Sequence, residues 1–214
     1  MPELVAFIDE SRKPERDLAS GRPSGRGEHY VVAVAILMAE DVAAVGRSIS
    51  DVERRLGYVV HYADLRSWSR RRAVIAELDR IPEWDGYLFE TAQPLSARNH
   101  SEHHVRAKIL EAAFRFLAAD VGVSRIILET RAAPKHGFTL LDDKDHQVLQ
   151  KLLTRKAVPA NLQITHADKT ERVLAIADVV AGARSDFLCR TGLEAYPLIG
   201  HRIRATRSLF AKVP

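Results

Sequence analysis

Apolar residues in this chain follow two rhythms. Short β-branched and aromatic runs predict strands: LVAFI before Asp9, YVVAVAILM from Tyr30, YLFET after the Trp84-Asp85-Gly86 turn, RIILE from Arg125 and LQITH from Leu162. The first two are separated by a Gly-, Pro-, Arg- and Ser-rich stretch through GRPSGRG, which reads as a long polar connection. Elsewhere the apolar positions recur at helical spacing. One such segment runs from about Asp41 to Leu56 and is followed by YVVHY; another is SRRRAVIAELDRI, with Val74, Ile75, Leu78 and Ile81. In SEHHVRAKILEAAFRFLAA, Val105, Ile109, Ala112 and Phe116 face one way, and His104, Lys108, Glu111 and Arg115 the other. A loop through APKHGF leads to a helix around HQVLQKLLTR. A last helix is expected to start near Asp168, where D-K-T-E resembles a capping box with Asp in place of Ser or Thr. That helix carries VLAIADVVAGA, Val173 to Ala183, an apolar run around one carboxylate, Asp178.

Early strands followed by strands alternating with helices imply an α/β fold, a mixed sheet flanked by helices on both sides. No repeat, low-complexity tract or linker divides the chain. A single domain over residues 1–188 is therefore expected, with residues 189–214, which include HRIRATR, as a basic C-terminal extension packed on or flanking it. The 214 residues are 46% apolar, enough for a sizeable core. The opening MPELVAFIDES has no basic n-region leading into an apolar stretch, and the longest apolar run, Tyr30 to Ala39, is too short to span a bilayer. These features predict a cytoplasmic protein without a membrane partner. The single cysteine, Cys189, rules out an intrachain disulfide or a multi-thiolate metal site and suits a reducing compartment. A net charge of +4 and a pI near 9.3 favour a polyanionic partner. GxSxG, GxxxxGK[ST] and GxGxxG are all missing, so serine hydrolases, P-loop NTPases and dinucleotide enzymes lose support.

Chemistry concentrates where acids meet apolar runs. Asp9 follows LVAFI, Glu129 follows RIIL, and Asp178 interrupts the last helix. An ionised group held among core residues needs a partner, because burying it alone costs several kcal/mol, in order of magnitude, or forces protonation. A hard cation such as Mg2+ or Mn2+ is one such partner, and it keeps coordination positions open for phosphates. Two such ions about 4 Å apart can serve phosphodiester cleavage. Along a strand neighbours point to opposite faces, so Asp9 and Glu10 cannot both meet one metal unless the strand ends there; Asp9 is favoured, with Glu10 and Asp64 as further candidate acids. Small residues at Ala175, Ala181 and Gly182 would let a strand approach Asp178. The bland alternative pairs Asp178 with Arg131 or Arg184 and lets Asp9 cap a turn through the N–H of Ser11 or Arg12.

IDES at Ile8 to Ser11, HYADLR at His61 to Arg66, and D-K-T with the AD-VVAGA segment at Ala177 to Ala183 resemble the prokaryotic domain-of-unknown-function family numbered 3800. The resemblance covers about residues 4 to 188. It implies a ribonuclease H-like fold and a metal-dependent nuclease site, with some members associated with mobile elements or phage defence. By that pattern Asp9 matches the first acid, Glu129 the third and Asp178 the fourth, and Glu111 is the candidate for the second. The chain departs from the pattern at Arg12, where the family usually has glycine, and at Ala175, where it usually has glutamine.

HYADLRSWSRRR gathers Arg66, Arg70, Arg71 and Arg72 beside Tyr62 and Trp68, a grouping suited to phosphate contact and base stacking, or equally to a solvated helix face. Arg66, Arg70, Lys108 and Arg131 are the candidate nucleic-acid contacts. His100 and His104, four apart in NHSEHH, could hold zinc if a third ligand came from elsewhere. His166 and Asp168 could touch the main site or cap the last helix. The expectation is a divalent-metal-dependent nuclease acting on DNA or RNA, with a homodimer compatible; the alternative is a non-catalytic nucleic-acid-binding or regulatory module of the same fold.

Overall fold

The computed structural model describes residues 2–17, 20, 22–95, 101–130 and 140–210. Among these residues six strands form one mixed sheet: β1 (Leu4–Arg16), β2 (Pro23–Met38), β3 (Asp85–Thr91), β4 (Val123–Glu129), β5 (Gln163–Ala167) and β6 (Ile203–Leu209), in the order β5-β4-β1-β2-β3-β6. The pairs β1/β2 and β2/β3 are antiparallel, whereas β4 runs parallel to β1, β5 to β4, and β6 to β3. Six helices, α1 (Val42–Leu56), α2 (Trp68–Asp79), α3 (Glu102–Phe116), α4 (Leu140–Thr154), α5 (Leu174–Leu188) and α6 (Ala195–Ile199), complete the α/β architecture, which is consistent with a ribonuclease H-like arrangement. No helix among the described residues is long and apolar enough to cross a membrane.

The sheet is buried on both faces because its central strands are apolar at consecutive positions. Val5, Phe7, Val31 and Ala33 pack with α1, α2, α5 and α6 on one side; Ala6, Ile8, Val32 and Val34 pack with α3 and α4 on the other. This alternation decides which acids share a face.

Three boundaries differ from the sequence pattern. The strands β1 and β2 extend as an antiparallel ribbon well past their apolar runs, with Lys13 opposite His29 and Pro14 opposite Glu28, so most of GRPSGRG is strand. Backbone pairing carries the ladder there without an apolar face to announce it. Asp168 does not cap a helix: its Oδ1 accepts from the Thr170 N–H at 2.8 Å in a tight turn, and α5 begins only at Leu174. Residues 189–209, expected as an extension, supply α6 and the edge strand β6, which pairs with β3 from Gly86↔Ile203 to Thr91↔Leu209. Its mostly exposed side chains hid it, as at an edge one face and one ladder stay open to water.

Candidate functional site

The parallel pairing of β1 and β4 sets Ile8 beside Leu128, so the next residues, Asp9 and Glu129, sit side by side at the strand ends. Asp9 continues the Val5, Phe7 face, on which α5 lies; Glu10 continues the face covered by α3 and α4. From α5, Asp178 faces the same space. An open cavity of about 360 Å³ results, lined by Asp9, Glu129 and Asp178 together with Lys13, His61 and Tyr62.

Each acid of the trio has a different environment. Asp178 Oδ2 accepts the Tyr62 backbone N–H at 2.7 Å and lies 3.0 Å from His61 Nδ1. That hydrogen bond raises the His61 pKa above its ordinary value. Asp9 is buried and accepts the Glu10 N–H at 2.7 Å. Burial, then the charges of Asp178 and Glu129, push the Asp9 carboxyl well above the usual carboxylate range. Among the described residues no arginine pairs with any of the three. The donor set is therefore hard oxygen, with His61 answering Asp178 and no cation paired with Asp9 or Glu129 among the described residues, which suits a divalent metal ion.

Gly182 explains how Tyr62 reaches α5. A Cβ at Gly182 would lie 2.1 Å from Tyr62 Cδ1, so the ring occupies the space a side chain would need. Beyond it, the Tyr62 hydroxyl donates to Asp186 Oδ2 at 2.8 Å, one turn further along α5. Asp186 is buried and also accepts from Lys13 Nζ at 2.6 Å, Arg71 Nη1 at 2.8 Å and Thr191 Oγ1 at 2.8 Å. Burial alone would raise its pKa, but the Lys13, Thr191 and Tyr62 contacts outweigh that and hold it below the ordinary range. Neither Tyr62's bridging role nor Asp186 was apparent from sequence; the only signal is a second acid within the same apolar helix.

On the opposite face stands a separate polar network. Arg106, buried in α3, forks onto Asp145 and donates through Nε to Glu10 at 2.9 Å; His166 Nε2 lies 3.0 Å from Asp145, and Thr130 Oγ1 donates to Asp142 at 2.7 Å. Asp142, Asp145 and His166 offer ligand atoms within 4.8 Å of one another, the one such group of three among the described residues, and could hold a metal ion. The cavity trio is spread more widely. Asp145, however, already has a complete partner in the Arg106 guanidinium, so this network satisfies itself as an ion-paired cluster.

The remaining sequence candidates are distributed as follows. Glu10 borders the cavity, but its carboxylate pairs with Arg106 and not with the trio. Asp64 ends a short 3₁₀ turn, is exposed, and does not line the cavity. Glu111 lies away from the site, among Lys108, Lys151 and Arg155, because α3 presents it toward α4. Lys108 therefore sits on that surface too. Arg66 and Arg70 are exposed, the latter over the Tyr58 ring, while Tyr62 is buried and closed to base stacking. Arg184 is committed to Glu90 through two hydrogen bonds of 2.8 and 2.7 Å and does not reach Asp178. Arg131 and His100 lie outside the described residues; His104 is exposed and belongs to no ligand cluster among those described. No protein-family model matches this chain, and neither does any curated protein.

Proposed function

We propose that this chain is a divalent-metal-dependent nuclease of ribonuclease H-like type, hydrolysing phosphodiester bonds of DNA or RNA, with Asp9, Glu129 and Asp178 holding Mg2+ or Mn2+. One observation carries the reading: three carboxylates from β1, β4 and α5 face a single open cavity, none of them is paired with an arginine among the described residues, since Arg12 on the cavity wall is engaged by Glu28 and Glu102, and burial together with two of the acids disfavours ionisation of the third. An ion pair at Asp9 or Glu129, as His61 makes with Asp178, would have relieved that repulsion. When bound, a divalent cation supplies Lewis-acid polarisation of the phosphoryl group and activation of water. The protein's own share is positional. The strand ends hold Asp9 beside Glu129, the Tyr62 N–H and His61 fix the carboxylate plane of Asp178, and Lys13 adds a positive charge on the cavity wall. No side-chain nucleophile is required.

The alternative, a non-catalytic nucleic-acid-binding or regulatory module, draws on the backbone donors that already satisfy part of Asp9 and Asp178. A thermal-shift titration with Mn2+, paired with cleavage of labelled DNA and RNA oligonucleotides, separates the two. The nuclease reading expects Mn2+ to stabilise the wild type, by about 2.7 kcal/mol at a hundredfold excess over Kd, and Asp9→Asn and Asp178→Asn to lose both the shift and the cleavage. Anomalous scattering from a Mn2+ soak adds the location. An ion found only at Asp142, Asp145 and His166, or turnover retained by either variant, rejects the assignment.

A further inference from the structure

A second, larger cleft adjoins the carboxylate cavity. It encloses about 540 Å³ between the end of β1 and the end of α5, and its lining includes Lys13, Arg16, Arg71, Arg190 and Thr191, with Asp17 and Asp186 as its acids. Lys13 lines both spaces, so the two are neighbours along β1. Four cations face two carboxylates here, and one of those, Asp186, is buried beneath Lys13 and Arg71.

We infer that this cleft binds the phosphodiester backbone of a nucleic-acid strand, next to the phosphate that enters the Asp9, Glu129 and Asp178 cavity. Two of the cations, Arg71 and Lys13, are held in place before any ligand arrives. Arg71 donates through Nε to the Leu65 carbonyl at 2.8 Å, and its guanidinium lies over the Tyr62 ring at 4.8 Å; Lys13 lies over the same ring at 5.3 Å. With Nε and Nη1 engaged, Arg71 Nη2 makes no hydrogen bond among the described residues and remains a donor for an anion. Pre-ordering of this kind lowers the entropy cost of binding.

Arg190 strengthens the case. It follows the last turn of α5 with φ at +58°, a left-handed conformation that glycine or asparagine adopts more readily, yet the position holds an exposed arginine aimed at the cleft. The chemistry favours a phosphodiester over an acidic peptide. A peptide's carboxylates are irregularly spaced, whereas a strand carries one charge per nucleotide along a regular backbone and releases condensed counterions when fixed cations contact it. The location of the strand rests on the nuclease reading, but the binding itself does not require catalysis.

The test therefore runs without metal. Fluorescence anisotropy in EDTA, with labelled single-stranded DNA and RNA 20-mers and the full chain, compares wild type with Arg190→Asn, Arg16→Gln and the double variant. Arg54→Gln, on exposed α1 away from the cleft, is the control. The double variant is expected to bind at least tenfold more weakly, with the salt dependence of log K falling by roughly 0.7 per lost contact, while Arg190→Lys and the control bind as wild type. Affinity unchanged in the double variant, or reduced equally in Arg54→Gln, overturns the inference, as does a wild type that binds polyglutamate as tightly as the oligonucleotides. Because no divalent ion is present, failure to cleave leaves this result unaffected.

Discussion

Tyr62 occupies the side-chain space of Gly182: a Cβ on that glycine would approach Tyr62 Cδ1 to 2.1 Å. One aromatic ring thereby locks the loop before α2 onto α5, with its N–H on Asp178 and its hydroxyl on Asp186. Two substitutions separate these roles. Gly182→Ala must displace the ring and the N–H together, so it is expected to cost about 1–3 kcal/mol and to shrink the Mn2+-induced thermal shift. Tyr62→Phe removes only the hydroxyl, costs about 1.5–3 kcal/mol for a bond to a charged acceptor, and should retain the shift. Equal metal responses in the two variants would show that the glycine contact does not position Asp178.

Arg106 is the sole guanidinium serving both Glu10 and Asp145 across α3, β1 and α4 among the described residues. Arg106→Met leaves two carboxylates without it, and breaking a buried pair in this way costs about 3–5 kcal/mol. Arg106→Lys should recover little, since a point charge cannot reproduce the fork. Urea denaturation checks both. A loss under about 1 kcal/mol in Arg106→Met would mean that water or a bound cation compensates.

The acids predict opposite pH trends in separate windows. For Asp9 the folded pKa lies above the unfolded value of about 3.9, so the metal-free fold binds the proton more tightly and loses stability as pH rises from about 4 through the raised value. Asp9→Asn is free of this penalty. In EDTA its Tm should overtake the wild type as pH climbs toward 8, and Mn2+ should restore the wild type's lead. A variant that melts below metal-free wild type at pH 8 contradicts the repulsion.

Asp186 works the other way. Its folded pKa is depressed, so its contribution is present above about 3.9 and disappears as pH falls through the folded value. The stability difference between wild type and Asp186→Asn should be largest near pH 6 and close progressively below pH 4. A difference independent of pH would assign the effect to packing alone.

Much of the fold was legible because hydrophobic rhythm reports burial directly. RIILE, YLFET and the Val74 to Leu78 spacing each lie in an element close to the expected bounds, since each must bury one face or two, whereas Ile81 falls just beyond α2. The strand extension through GRPSGRG and the edge strand β6 were not legible, because backbone pairing stabilises them without an apolar pattern. Asp9, Glu129 and Asp178 stood out for a related reason: a carboxylate at the end of a buried run needs an explanation wherever the chain goes.

Sequence by itself determined where the main apolar runs lie, which of them are helix and which strand, and that certain acids sit at their ends. Only the tertiary structure decided which side chains meet. Parallel pairing of β1 with β4 put Asp9 beside Glu129, strand alternation sent Glu10 to Arg106, and the Tyr62 ring in the hollow of Gly182 joined His61, Asp178 and Asp186. Periodicity is a local property of a chain, set by the backbone's own repeat, whereas these meetings depend on register and on the match of one surface to another between residues 96 or more positions apart.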